Sequence, residues 1–220
     1  MSSELHDYAE ARGLPATLPI FPLHSALLLP GCRLPLNIFE PRYLQMVEDA
    51  LEDDRLVGMI QPLDPDNDRH DPPIQDVGCA GRIASFRETD DGRYLTSLIG
   101  VSRFRVVREI PTTKLYRVVE AQWTPFAADR ARHDFAEIDR EELVANLRAY
   151  FDVRGLEANW RAIEDSGNEE LVNSLAMVCP FDSSEKQALL EADDLEQRSR
   201  LVIALMNMAV LHRANSATVH

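Results

Sequence analysis

The first half of the chain carries short hydrophobic runs separated by proline, glycine and acidic residues, a pattern typical of strands joined by turns. One run, at residues 18–23, contains Pro19 and Pro22. Because a proline cannot donate a hydrogen bond to a neighbouring strand, we expect this run to form an edge strand. An Asp-Asp-Gly turn at residues 90–92 joins two longer runs that we expect to pair. Six strands are predicted, at residues 18–23, 34–39, 56–60, 77–87, 94–107 and 115–123.

One helix is predicted between the second and the third of these strands. Pro41 suits its first turn, where the missing N–H group has no helical partner to lose. Apolar side chains then follow at helical spacing, at Tyr43, Leu44, Val47 and Leu51, so the helix should run for about three turns. Short strands with one intervening helix predict a small, partly closed barrel.

The second half of the chain has its hydrophobic residues at helical spacing. One helical face forms between residues 143 and 151, and another between 171 and 179. Acidic residues that suit the start of a helix stand at Asp134, Asp182 and Asp194. The last helix has a nearly all-apolar middle at residues 202–211, which predicts a central position in a helical bundle.

Proline and glycine divide the chain into the same two parts. All 13 prolines except Pro180 precede residue 126, and so do all nine glycines except Gly155 and Gly167. Because both residues interrupt long helices, their absence permits a helical second part. The predicted divisions are a flexible N-terminus at 1–15, a barrel at 16–125, a linker at 126–133 and a helical bundle at 134–215.

Charge and cysteine content narrow the function classes. The net charge of −14 disfavours nonspecific binding to nucleic acid, which needs a basic face. Three cysteines cannot form a complete set of disulfides, which suggests a reducing compartment. The polar, acidic start is unlike a secretory signal, and the longest apolar run, at 201–211, is too short to span a bilayer. We therefore expect a cytoplasmic protein that does not contact membranes.

Several segments resemble one known family in order and spacing. They are residues 18–23 (LPIFPL), 29–31 (LPG), 34–43 (LPLNIFEPRY), 77–83 (VGCAGRI) and 100–104 (GVSRF), followed by 173–176 and 185–190. Together they resemble the N-terminal, substrate-binding domain of Lon proteases in its stand-alone bacterial form. The resemblance implies an α+β fold, with an N-terminal PUA-like β-barrel of about six strands and one helix followed by a C-terminal helical bundle. It also implies that the chain recognises polypeptide segments.

The catalytic parts of a complete Lon protease are missing from this sequence. No Gly-x-x-x-x-Gly-Lys-Ser/Thr motif is present to hold nucleotide phosphates. The nearest serine–lysine pair, Ser184 and Lys186, falls at a predicted exposed helix start, where the lysine would not be desolvated as a catalytic base. We therefore predict no enzymatic activity and no catalytic residues.

No cofactor or metal is expected either. The acidic loop from Asp64 to His70 lacks the glycine and glutamate of a calcium loop, so it is interpreted as a solvated turn. The three cysteines form no Cys-x-x-Cys motif that would suit zinc, and Cys79 is interpreted as a packed hydrophobic residue.

An aromatic corner between the second strand and the helix is the candidate binding site. Its residues are Phe39, Arg42 and Tyr43. An extended apolar peptide could lie beside this corner along a strand edge. We expect Phe39 to be buried, with Tyr43 or Arg42 at the rim. The predicted partners are unfolded or exposed segments of other proteins, presented to a protease or chaperone, and the resemblance is compatible with a weak homodimer.

Two other functions stay open at this point. PUA-type barrels can bind RNA, and the hairpin from Arg82 to Arg108 is locally basic, although the acidic chain makes nucleic acid the less favoured ligand. The second is a small-molecule hydrolase or transferase in a cleft between barrel and bundle, because such clefts are common ligand sites. No nucleophile–base pair in the sequence supports it.

Overall fold

The computed structural model describes residues 13–64, 71–130 and 138–217, with only the backbone for 214–217. The chain divides by its internal contacts into two units, residues 1–131 and 132–220. The first unit holds all six described strands and the second holds only helices. This mixed architecture confirms the predicted α+β class.

Each predicted strand of the first unit is present, as is its helix. The elements are β1 (Thr17–Pro22), β2 (Arg33–Ile38), α1 (Pro41–Glu52), β3 (Leu56–Ile60), β4 (Val77–Glu88), β5 (Tyr94–Ile110) and β6 (Arg117–Gln122). Pro41 opens α1 as expected. The β4–β5 turn contains Gly92 at a φ of +77°, a left-handed conformation that glycine adopts without strain.

The strands close into a ring. Their order is β2-β5-β4-β3-β1-β6, and β6 also pairs with β5, so five strands encircle the core and β2 is attached outside the ring. The ring encloses buried side chains that include Leu18, Ile20, Phe104 and Val119. Closure into a ring removes the two open edges that these five strands would have in an open sheet.

β1 lies between β3 and β6, so the expectation of an edge strand was wrong. Ala121 N donates to Ala16 O, which places the even-numbered main-chain groups of β1 toward β6 and the odd-numbered ones toward β3. The pairing with β3 begins at Ile20, and the pairing with β6 ends there. Pro19 therefore faces β3 before that pairing starts, and Pro22 faces β6 after that pairing has ended. Neither proline occupies a position where a donor is needed.

Two glycines make room for the ring of Phe104 inside the barrel. A Cβ atom on Gly58 would lie 2.9 Å from Phe104 Cζ, and one on Gly78 would lie 2.6 Å from the same atom. Both distances are shorter than a carbon–carbon contact at optimal separation, so a side chain at either position would displace the ring. Strand glycines here serve close packing.

A buried ion pair fastens the segment that follows the barrel. Arg103 of β5 donates to the carboxylate of Asp129 through Nη2 at 2.7 Å and through Nε at 3.0 Å, and its main-chain N–H donates to the same group at 2.8 Å. The two side chains are only 5% and 6% exposed. The guanidinium also lies 4.7 Å from the ring centroid of Phe126.

Asp129 belongs to a kinked 3₁₀ segment, Thr124–Arg130, that packs on β5. Residues 126–130 of the predicted linker are therefore ordered against the barrel. Residues 131–137, which contain the rest of that linker and the Asp134 helix-start signal, lie outside the described residues, as do residues 1–12 of the predicted flexible N-terminus.

Five helices make up the described part of the second unit. They are α2 (Arg140–Arg154), α3 (Trp160–Asp165), α4 (Asn168–Val178), α5 (Ser183–Glu191) and α6 (Leu195–Ala217). Asp182 and Glu185 form the predicted capping box of α5, and Asp194 accepts from Gln197 N at 2.7 Å at the start of α6. The short α3 was not predicted. None of the described helices has the length and apolar content needed to cross a membrane.

α6 is the central helix of this unit, as the sequence predicted. It packs against α2, α4 and α5. Its middle residues Val202, Ile203 and Met206 are buried. Neighbouring helices cover this side of the largely apolar stretch, whereas Met208 and Leu211 on another side of α6 are exposed.

We predict that replacing Asp129 by alanine lowers the free energy of unfolding by about 3–5 kcal/mol, because a buried guanidinium is left without its counter-charge. The matched control is Glu120→Ala, which removes a solvent-exposed ion pair with Arg108 and should cost less than about 1 kcal/mol. Urea denaturation of the full chain measures both. Equal costs for the two variants would show that the buried pair does not stabilise the fold.

Candidate functional site

The structure exposes Phe39 and buries Tyr43, the reverse of the predicted arrangement. Phe39 follows β2 and is 63% exposed, whereas Tyr43 in the first turn of α1 is 5% exposed. Tyr43 packs on Phe21 of β1, with ring centroids 4.1 Å apart. The helical period explains its orientation, because Tyr43 shares a face of α1 with the buried Met46, Val47 and Ala50. The apolar side chain that solvent can reach at this corner is therefore Phe39.

Arg42 covers the buried tyrosine. Its guanidinium lies 4.6 Å from the Tyr43 ring centroid and donates to Glu40 Oε2, through Nε at 3.0 Å and Nη2 at 2.8 Å. Burial, opposed in part by Arg42, raises the pKa of the Tyr43 hydroxyl above its usual value. Arg42 is half-buried and held by both neighbours, so it forms a fixed, polar border beside Phe39.

Consecutive carboxylates anchor α1 to the barrel. Glu48 accepts from the hydroxyl of Tyr94 at 2.5 Å, and Asp49 accepts from Tyr116 at 2.7 Å and from Lys114 at 2.8 Å. The bonds from Lys114 and Tyr116 hold the pKa of Asp49 below its usual value. The hydrogen bond from Tyr94 to Glu48 is the largest of the effects that raise the pKa of the Tyr94 hydroxyl to about 12. The Phe39 corner therefore rests on a helix that is bonded to β5 and to the loop before β6.

Phe86 adds a second exposed aromatic side chain, which the sequence analysis missed. The end of β2, the start of β5 and the end of β4 lie side by side, because Tyr94 pairs with both Ile38 and Glu88. Phe86 is 38% exposed and packs edge-on against Tyr94 at 4.8 Å between centroids. Its exposure could have been predicted from the sequence, because Phe86 stands among polar residues at the end of a predicted strand.

Four of the six arginines between Arg82 and Arg108 are bonded to acceptors of the protein itself. Arg103 is buried with Asp129, as described above. Arg82 donates to the main-chain carbonyl of Asp54 at 2.8 Å, Arg93 pairs with Asp91, and Arg108 pairs with Glu120. Since an RNA-binding surface needs several cations directed at the phosphates, this arrangement gives no support to the RNA alternative.

The serine and lysine of α5 have structural partners. Lys186 is buried, not exposed as expected, and its Nζ donates to the carbonyl of Met177 at the end of α4. Ser184 Oγ donates to Asp182 Oδ1 at 2.7 Å, in the cap of the same helix. Burial lowers the pKa of Lys186. Its bond to Met177 joins α5 to the end of α4.

Two of the three thiols are embedded in the cores of the two units. Cys79 is 1% exposed, which confirms its interpretation as a packed residue, and Cys179 is 3% exposed. Burial raises the pKa of the Cys179 thiol to about 11, so it remains protonated. Within residues 13–64, 71–130 and 138–217, no three His, Cys, Asp or Glu side chains are grouped to hold a metal ion. Part of the acidic loop from Asp64 to His70 falls outside those residues.

Residues 17–208 match the sequence model of a family described as the ATP-dependent protease La (LON) substrate-binding domain. Among curated relatives, Lon protease 2 of Sorangium cellulosum is 29% identical over 199 residues, and Lon protease 2 of Myxococcus xanthus is 24% identical over 196 residues. These alignments cover 86% and 88% of this chain but 24% of each relative. The chain thus spans about a quarter of the length of the curated relatives it matches.

Solved structures give the same assignment. A Lon N-terminal domain protein from Xanthomonas campestris is 27% identical and superimposes with a TM-score of 0.60, covering 86% of this chain and 98% of that one. The N-terminal domain of Mycobacterium avium complex Lon protease superimposes with a TM-score of 0.61 over 87% of this chain and 98% of that one. Its identity is 16%, so it supports the fold alone.

We predict that the two aromatic residues of the corner contribute very differently to the free energy of unfolding. Tyr43→Ala should lower the free energy of unfolding by about 3 kcal/mol, because a buried ring is lost from its contact with Phe21. Phe39→Ala should change it by less than about 0.5 kcal/mol, because the side chain is mostly in solvent. Tyr43→Phe, which keeps the ring, is the control. Chemical denaturation gives the three values, and a larger loss for Phe39→Ala would contradict the described burial.

Proposed function

Because the chain belongs to the family of Lon substrate-binding domains, we propose that it is a noncatalytic module that binds unfolded or exposed segments of other proteins. The observation that carries this proposal is the exposed phenylalanine at position 39, held on a rigid support. Its main chain is held between β2 and α1, so little main-chain freedom is lost when a ligand covers the ring. Exposed apolar side chains beside a polar border are typical of protein-binding surfaces.

The corner offers a peptide both apolar contact and orientation. Phe39 and Phe86 provide aromatic surface at the same end of the sheet, 63% and 38% exposed. Aromatic residues contribute large contact areas at low entropic cost and are frequent among residues that dominate binding energy. The ion pair of Arg42 and Glu40 lies beside Phe39. Its charges disfavour ligand side chains that would bury one of them without a partner.

The proposal assigns no catalytic step to the residues of this chain. They contain no phosphate-binding loop, and the curated relatives, named as Lon proteases, match them over only about a quarter of their own length. We infer that bound segments are passed to a separate protease or chaperone. A cytoplasmic location and a weak homodimer belong to the same proposal, and a reducing compartment is consistent with Cys32, Cys79 and Cys179, none of which forms a disulfide.

Fluorescence anisotropy tests the proposal directly. The probe is fluorescein-labelled α-lactalbumin that has been reduced and carboxymethylated, so that it stays unfolded, and the competitor is a short unlabelled RNA. Saturable binding that RNA does not displace supports a polypeptide-binding module. Displacement by RNA, with a steep loss of affinity as salt is raised, would favour the RNA alternative. Binding of neither would contradict both.

We predict that Phe39→Ala weakens binding of this unfolded probe about tenfold, the effect expected when an aromatic contact of central importance is removed. The matched control is Val107→Ala, which truncates another exposed apolar side chain of the barrel, 54% exposed near the opposite end of β5. Its affinity should equal that of the unchanged chain. If both variants bind alike, Phe39 is not part of the binding surface.

A further inference from the structure

β2 has an open edge. Of the described strands, β2 alone lies outside the closed ring, and it pairs only with β5. The register of that pairing is continuous from Arg33–Ile99 to Ile38–Tyr94. The opposite side of β2 has no strand beside it among the described residues.

The hydrogen bonds fix which residues face that open side. Gly100 N donates to Cys32 O at 2.9 Å, which marks the pair just before the strand as a hydrogen-bonded one. Because hydrogen-bonded and non-hydrogen-bonded pairs alternate, the even-numbered residues of β2 direct their main-chain groups at β5. Arg33, Pro35 and Asn37 direct theirs outward, and all three residues are exposed.

The open edge therefore carries a defined set of donors and acceptors. Three carbonyl groups point outward, from Arg33, Pro35 and Asn37, together with the N–H groups of Arg33 and Asn37. Pro35 has no N–H group, and its place in a non-hydrogen-bonded pair with Ser97 explains why the β2–β5 ladder tolerates it. One donor is absent from the middle of an otherwise regular edge.

We propose that an extended segment of an unfolded polypeptide binds as an added strand along this edge of β2. This inference rests on the proposed function and specifies the conformation in which the ligand is held. Leu34 and Leu36 are half-buried and project from the face opposite to Arg33, Pro35 and Asn37. Alternate side chains of an added strand would cover them, so the preferred segment has apolar residues at every second position.

The edge also leads to the apolar corner. β2 ends at Ile38, and the exposed Phe39 is the next residue. A segment paired with Arg33 and Asn37 through its main chain therefore reaches Phe39 with its next residues. Main-chain bonds give affinity for any sequence, and the leucines and Phe39 select for apolar side chains.

A second copy of the chain is a poorer occupant of the same edge. Two β2 strands brought edge to edge would each contribute a Pro35, so the joint ladder would lack two donors. An unfolded segment without proline lacks only one. Proline and charged residues on an open strand commonly prevent such self-pairing, and β2 carries one of each, Pro35 and Arg33.

Substitutions at the outward positions test the inference with the unfolded α-lactalbumin probe. Asn37→Pro removes an outward N–H group and no donor of the β2–β5 ladder, whereas Asn37→Ala removes the side chain and keeps that N–H group. We expect Asn37→Pro to bind about three- to tenfold more weakly than Asn37→Ala, the effect of one hydrogen bond. Pro35→Val restores the missing donor and should tighten binding by a similar factor. Thermal denaturation checks that the variants remain folded.

The possible results separate this inference from the proposed function. If the unchanged chain binds the probe but Asn37→Pro equals Asn37→Ala, or Pro35→Val gives no gain, strand addition is wrong and the binding function stands. If the unchanged chain binds no unfolded probe, the proposed function fails and the inference with it. If Asn37→Pro unfolds, Pro35→Val alone decides. Dimerisation of Pro35→Val in sedimentation, without tighter probe binding, would assign the edge to a second copy and overturn the inference.

Discussion

The barrel depends on one strand, β5, which pairs with three others. Along one side, β4 follows it for most of its 17 residues, and along the other β2 and β6 follow in succession. The register with β4 shifts where Val101 is skipped, between the pairs Gly81–Gly100 and Ala80–Ser102. Because of this one extra residue, odd-numbered instead of even-numbered residues direct their main-chain groups away from β4 after the bulge. The bulge also bends the strand, which allows the ring to close.

The buried ion pair between Arg103 and Asp129 also follows from the way β5 pairs with its neighbours. β2 ends its pairing at Ile99 and β6 begins at Arg105, so the main chain of β5 lacks a neighbouring strand between them. After the bulge, the N–H group of Arg103 faces that gap, and the Asp129 carboxylate accepts its hydrogen bond. A single side chain thus neutralises the guanidinium and replaces a missing strand partner, which explains why the 3₁₀ segment is held against the barrel.

The sequence predicted the elements better than it predicted which side chains face inward. Strand runs, the Pro41 helix start and the Asp182 capping box depend on neighbouring residues, so local patterns were sufficient. The position of β1 in the sheet depended on where two distant pairings begin and end. The burial of Tyr43 could have been deduced from the period it shares with Met46, Val47 and Ala50, but the exposure of Phe39 could not. Nothing near Arg103 signals a counter-charge 26 positions later in the chain.

The positions of the cysteines allow their chemical reactivity to report local unfolding. Cys79 and Cys179 are almost fully buried, one in each unit, while Cys32, the residue before β2, is partly accessible. An alkylating reagent should therefore modify Cys32 in the native state, and should reach the other two only when their own unit opens. The order in which Cys79 and Cys179 react would reveal which of the two units unfolds first, without any added label.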